Sequence, residues 1–136
     1  MNKNIGYIYL RTHESYNIDN VYKMDITDNL YKKENEIKRM ELIKGEMIYV
    51  LEVSKHILEV SKRLLELEFK DINVRYDGGV NFYKREIIDL IEKGLDKNKI
   101  KYRKLDKMEI KELLEKNDED KKIKKKFFEY LRNINL

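Results

Sequence analysis

Three kinds of side chain in this sequence could perform chemistry together. They are a tyrosine in an apolar segment, Tyr9; two lysines, Lys23 and Lys33; and a glutamate in a helical segment, Glu59. A glutamate on a helix can share one Mg²⁺ with phosphate oxygens and water, and a lysine attracts phosphate as a point charge. A tyrosine could deprotonate water if a cation and a metal lowered its pKa from about 10. The combination suits phosphodiester hydrolysis, which needs an activated water and neutralised phosphate charge.

Segments rich in tyrosine, isoleucine and valine predict the strands that would position these side chains. Residues 5–11 and 21–26 have the composition of strands, and the polar residues 12–20 between them form a hairpin-sized loop. Residues 47–51 are almost entirely apolar, as in a central strand buried on both faces. We therefore expect a small antiparallel or mixed sheet of about three strands, covered by helices.

In the rest of the chain, the spacing of apolar residues mainly predicts helices. One helix is predicted over residues 29–40, begun by Thr27 or Asp28, and a core helix over 55–69, begun by Ser54. The order β-β-α-β-α, followed by mostly helical segments, indicates an α/β (α+β) protein. After a turn at residues 77–79, further helices are predicted over 84–97, 107–116 (begun by Asp106) and 119–133, with a short edge strand over 100–105.

This order of elements and motifs resembles the GIY-YIG nuclease superfamily, and especially its phage and large-DNA-virus branch. Gly6-Tyr7-Ile8-Tyr9-Leu10 corresponds to the first motif of that family, and Lys23-Met24-Asp25 to the second. The resemblance covers residues 5 to about 83. It therefore divides the chain into a GIY-YIG-like core, residues 1–83, and a helical extension, residues 84–136, packed on the same domain.

The resemblance implies a Mg²⁺-dependent endonuclease, a hydrolase that acts on nucleic acid, with DNA as the expected substrate. Tyr9 matches the tyrosine that activates water, and Lys23 and Lys33 match positions that hold phosphate. Glu59 falls on the metal-binding glutamate of the core helix. Asn81 falls where the family often has a polar residue that closes the site.

Two positions depart from the family pattern. Asp25 stands where the family has glycine, which permits close backbone approach, and Lys33 stands where it has arginine, which grips phosphate with a planar fork. An aspartate there either repels the substrate or gives the metal a second carboxylate, and we favour repulsion. Hydrolysis is thus expected to be weak or lost. The alternative is a catalytically eroded pseudo-nuclease that binds nucleic acid or a protein.

Each candidate residue also has an ordinary structural explanation. Tyr9 has the usual place of an aromatic residue in a strand, and Glu59 resembles an exposed helical glutamate. Lys33 could pair with the nearby Glu36. Only the joint order of Tyr9, Lys23, Lys33 and Glu59 in suitable elements favours a site.

Composition limits the possible classes of protein. The 136 residues are 41% hydrophobic and 41% charged, which is typical of one soluble globular domain. The sequence contains no cysteine, so disulfides and thiolate metal sites are excluded. No apolar run approaches the roughly 20 residues of a membrane span. We expect an intracellular location, cytoplasmic or nuclear, with a virus-infected host cell as one setting, and no membrane partner.

The net charge of +4 is unevenly distributed. Residues 1–70 carry as many acidic as basic side chains, so the second half carries the whole excess. Its densest basic run has two explanations, a solvated helix face or a surface that contacts nucleic-acid phosphates. The apolar residues that follow suggest a third hypothesis, a structural or interaction module whose C-terminal helix docks into another chain. The run comprises Lys121, Lys122, Lys124, Lys125 and Lys126, followed by Phe127, Phe128 and Leu131.

Overall fold

The computed structural model describes residues 4–76, 78–115 and 118–134; the side chains of residues 118–122 and 124 lie outside that description. The strands are β1 (Ile5–His13), β2 (Val21–Thr27), β3 (Gly45–Ser54), β4 (Asn73–Tyr76), β5 (Gly79–Lys84) and β6 (Arg103–Lys104). The helices are α1 (Glu14–Ile18), α2 (Leu30–Met40), α3 (Leu58–Glu68), α4 (Ile87–Lys97), α5 (Lys107–Leu114) and α6 (Asp118–Ile134).

The strands form one antiparallel sheet in the order β4-β5-β2-β1-β3-β6. The α/β class is confirmed, and of the two expected sheet types the sheet is antiparallel and not mixed; the expected count of about three strands is wrong. The main omission was the β4–β5 hairpin, whose turn contains Gly78 with a φ of 77°. Its strands are short and partly exposed, so they lack the continuous apolar run that marks β3.

Helices cover both faces of the sheet. On one face, Ile8 and Leu10 of β1 pack with Leu65 of α3 and Ile91 of α4. On the other face, the alternate residue Tyr9 packs with apolar residues of β3, α2 and α5. Neighbouring side chains of a strand point to opposite faces, so β1 contributes to two separate apolar clusters.

The connection between β1 and β2 is more ordered than a loop. Within the predicted loop, residues 12–20, the chain forms the short helix α1. His13 begins it, because its Nδ1 accepts hydrogen bonds from the backbone N–H groups of Ser15 and Tyr16, at 3.1 and 3.4 Å. A histidine is not among the preferred helix-capping residues, which explains why sequence patterns missed it.

The helix starts test the predicted capping residues. Asn29 caps the N-terminus of α2, because its Oδ1 accepts a 3.0 Å hydrogen bond from the backbone N–H of Lys32. The prediction that Thr27 or Asp28 caps this helix is therefore wrong. Ser54 makes no capping hydrogen bond, because a 3₁₀ turn separates it from α3. The prediction that Asp106 begins α5 is confirmed, with a complete capping box.

The C-terminal half contributes to the same structure. Helix α4 lies in the core beside α3, and β6 pairs with β3 at the sheet edge. The division at residue 83 stays a prediction. In the described part of the chain, no helix is long and apolar enough to cross a bilayer. Helix α6 leaves more than half of each of these side chains exposed: Ile123, Phe127, Phe128, Tyr130 and Ile134.

Candidate functional site

A fully buried arginine ties β1 to α2. Arg11 donates hydrogen bonds to Glu34 of α2 and to Glu41, which follows that helix. Burial alone would lower the pKa of Arg11, but its hydrogen bonds with Glu41 and Glu34 raise the pKa instead. The guanidinium therefore stays charged inside the protein. Both carboxylates need it, since a buried charge without a partner is costly.

Asp25 of β2 is engaged by three neighbours. Its Oδ1 lies 3.0 Å from Nζ of Lys62 in α3 and accepts a 2.9 Å hydrogen bond from the backbone N–H of Ile26. Its Oδ2 accepts a hydrogen bond from the side-chain amide of Asn81, at 3.4 Å. The Asp25 and Lys62 side chains are 15% and 23% exposed, so this is a partly buried ion pair. Asp25 therefore connects β2, α3 and β5.

Local geometry explains why Lys62 of α3 reaches Asp25. Lys62 comes four residues after Leu58 and three before Leu65, which are both buried, so helical spacing turns it toward the sheet. Strand β5 pairs with β2 only as far as Lys23. The edge of β2 at Asp25 is consequently open, and the lysine reaches the carboxylate there.

Tyr9, the predicted base, is fully buried, and its hydroxyl has no hydrogen-bond partner among the described residues. Burial, and next the negative charge of Asp25, raise the pKa of Tyr9 far above its ordinary value. A general base needs the opposite shift. This environment suits an apolar core residue and does not favour a proton acceptor.

Lys23 and Lys33 form a pair of cations on the α2 side of the sheet. Lys23 stands opposite Arg11 in the pairing of β1 with β2, and Lys33 lies on α2. Burial lowers the pKa of Lys23; Asp25 opposes this shift and Lys33 adds to it. Neither lysine side chain has a hydrogen bond or ion pair within the described residues, although both are partly buried. Two cations that make no ion pair with the described residues are suited to an anion, even though the negative charges of Asp25 and Glu41 also act on Lys23.

Glu59 lies on a different helix from Lys33. It is exposed in the first turn of α3, the helix that covers the sheet face opposite Tyr9. The structure thus places Tyr9, Lys23 and Lys33 on the α2 side near Asp25, and it places Glu59 on the other side. Asn81 reaches Asp25 from β5.

The Mg²⁺ site that the resemblance implies rests on Glu59, and the described residues add no cluster of ligands to it. Among residues 4–76, 78–115 and 118–134, no group of three or more acidic or histidine side chains could hold a metal ion. Asp25, which the sequence offered as a second metal ligand, already forms an ion pair with Lys62 at 3.0 Å. A cation at that place repels a divalent metal.

The C-terminal basic run is described only in part. Lys125 and Lys126 are exposed on α6. The side chains of Lys121, Lys122 and Lys124 lie outside the described residues. Contact of this run with nucleic acid stays a prediction.

The sequence held signals for the residues that its motifs did not reveal. Glu34 follows Leu30 by four residues and so lies on the apolar stripe of α2, where a carboxylate implies a buried partner. Arg11 lies within the buried run of β1, where a charged side chain also implies a buried partner. On α3, Lys62 lies four residues after Leu58 and three before Leu65, and both leucines are buried. Helical spacing therefore favours Lys62 over Glu59 as the residue that faces the sheet.

A scan against protein-family models, a search of curated proteins and a search of solved structures each returned no match.

Proposed function

We propose that this chain is a GIY-YIG-like pseudo-nuclease that binds nucleic acid through Lys23 and Lys33 and does not hydrolyse it. Apart from the short helix α1, the order β1-β2-α2-β3-α3 agrees with the β-β-α-β-α core that the resemblance implies. Function is argued from the site alone, because one fold supports many activities.

The ion pair between Asp25 and Lys62 carries the proposal. A hydrolytic centre needs a carboxylate free to bind metal and a base with a suitable pKa. Here the carboxylate beside the phosphate-binding lysines holds a lysine at 3.0 Å, and burial raises the pKa of Tyr9. This arrangement leaves neither a free carboxylate for a metal nor a suitable base beside the lysines. It leaves the positive charges of the lysines, which can still attract phosphate.

The two lysines supply that attraction. Arg11 is occupied by Glu34 and Glu41, whereas Lys23 and Lys33 have no ion-pair partner among the described residues. A backbone phosphate would relieve the repulsion between the two ammonium groups. It would also favour the charged form of Lys23, whose pKa burial lowers.

Replacing Lys23 and Lys33 together by Gln should weaken binding of single-stranded oligonucleotides and reduce its salt dependence. Each phosphate contact contributes about 0.7 to the slope of log K against log salt, so the slope should fall by about 1.4. The measurement is fluorescence anisotropy over a series of salt concentrations. Lys32→Gln, at an exposed position of the same helix, is the control and should keep the slope. Equal slopes for the control and the double variant would remove these lysines from the interface.

Two further contacts remain part of the proposal. The run from Lys121 to Lys126 would add a second phosphate-binding surface, and the exposed apolar side chains of α6 favour contact with a protein partner. Salt titration of a Lys125→Gln, Lys126→Gln variant tests the first contact. Sedimentation velocity of the wild type and of Phe127→Ser tests the second for the case in which the partner is another copy of this chain.

A further inference from the structure

Helix α6 carries an apolar stripe that faces solvent. The stripe consists of Ile123, Phe127, Tyr130 and Ile134, whose spacing of four, three and four residues puts them on one side of the helix. Each of the four is between 57% and 65% exposed, and Leu131 at the border of the stripe is 37% exposed. Every other side chain of α6 that the structure describes is exposed as well.

The stripe needs a partner for a physical reason. A helix in water gains most of its stability by burying an apolar face. The opposite face of α6 carries Lys125 and Arg132, so burying that face would remove charges from water. Only the stripe can be covered at low cost.

The spacing within the stripe is self-complementary. The sequence of intervals, four, three and four, is the same when it is followed from either end. Two copies of α6 laid side by side in opposite directions therefore place Ile123 of each against Ile134 of the other. The same arrangement places Phe127 against Tyr130. A two-fold axis relates the two copies, as in most dimers of identical chains.

The size of the stripe is adequate for such a pair. At about 200 Å² for a large side chain, the exposed parts of the stripe and of Leu131 offer roughly 600 Å² of apolar surface. A stable interface buries about 800 Å² on each partner, a little more than half of it apolar. One helix face thus supplies the apolar part of a dimer interface.

The charges beside the stripe favour opposite directions. Lys126 borders the stripe, and Glu129 and Asn133 lie on the same flank of the helix. In the antiparallel arrangement Lys126 faces Glu129 and Asn133 of the second copy. A parallel pair would set the two basic runs beside each other, which is unfavourable.

We propose that α6 pairs with α6 of a second copy of this chain, in antiparallel orientation, through the apolar stripe. The proposal rests on the protein contact of α6 in the proposed function and names its partner. The faces that carry Lys125 remain exposed in the pair, so the basic run stays accessible to nucleic acid.

Sedimentation velocity over a series of protein concentrations, without nucleic acid, tests the pair. The wild-type protein should change from the mass of one chain to the mass of two as the concentration rises. Phe127→Lys should move this change to a concentration at least about tenfold higher, because it puts a charge into the apolar seam. Phe128→Lys is the matched control, since Phe128 is also 57% exposed but lies outside the stripe.

A mixture of two variants tests the orientation. Tyr130→Glu alone should weaken the pair as Phe127→Lys does. Equal amounts of the two variants should associate again, because the introduced charges are opposite and the antiparallel arrangement places these positions against each other. A parallel pair would bring identical positions together and would show no such recovery.

Each result decides the matter. The mass of one chain at every concentration overturns the pair, and equal shifts for Phe127→Lys and Phe128→Lys overturn the role of the stripe. Failure of the mixture to associate overturns the antiparallel orientation. Oligonucleotide binding is measured separately, so loss of the pair leaves the nucleic-acid function standing, and loss of binding leaves the pair standing.

Discussion

Arg11→Met should destabilise the protein by about 3–5 kcal/mol, because it leaves the carboxylates of Glu34 and Glu41 facing each other without their shared cation. Both side chains are largely buried, so water cannot replace the guanidinium. The melting temperature should fall on the order of 10 °C.

Arg39→Met is the matched control for this prediction. Arg39 lies on α2 and is exposed, and it has no ion pair among the described residues. Its replacement should change stability by less than about 0.5 kcal/mol. Restoring stability in Arg11→Met by adding Glu34→Gln and Glu41→Gln would confirm the electrostatic origin of the loss. Equal melting temperatures for Arg11→Met and Arg39→Met would show that the buried cluster does not stabilise the fold.

Lys62→Glu should change the response of the protein to divalent metals. In place of an ion pair, it sets two carboxylates beside each other, with the amide of Asn81 as a neighbour. Without metal, the repulsion and the lost contact should lower stability by about 2 kcal/mol. Millimolar Mn²⁺ or Mg²⁺ should then raise the melting temperature by several degrees, through preferential binding to the folded state. The wild-type protein should show no such rise.

Arg63→Glu gives the same change of charge at the next position, which is exposed. Differential scanning fluorimetry of both variants, with metal and with a chelator, separates a local site from a general charge effect. If the two variants respond alike, or if the wild type responds as Lys62→Glu does, then Lys62 is not what keeps metal from Asp25.

The sequence was sufficient where one local signal determined an element. Apolar segments revealed β1, β2 and β3, and the Asp106 cap revealed α5. The β4–β5 hairpin escaped because its strands are stabilised by pairing with β2 and with each other more than by their own composition. Helix α1 escaped because its start depends on a histidine ring nitrogen.

The candidate site depended on which side chains meet in space, and the sequence settled only part of this. That Lys23 and Lys33 hold phosphate stays a prediction; the structure shows only that the charge of Lys33 lowers the pKa of Lys23. The choice of Glu59 followed a motif, whereas the helical position relative to Leu58 and Leu65 decides that Lys62 faces Asp25. Burial of Tyr9 could not be read from its strand alone, since it depends on α2 and α5 packing over that face.

Binding and cleavage measured on the same samples test the central claim most directly. End-labelled single-stranded and duplex DNA would be incubated with the wild-type protein in excess Mg²⁺ or Mn²⁺, then followed by anisotropy and on a denaturing gel. The account predicts a bound, salt-sensitive single strand that remains full length. Shortened products that disappear in Glu59→Gln would contradict it, because they would show that Glu59 holds a working metal. Absence of binding at low salt would contradict it as well.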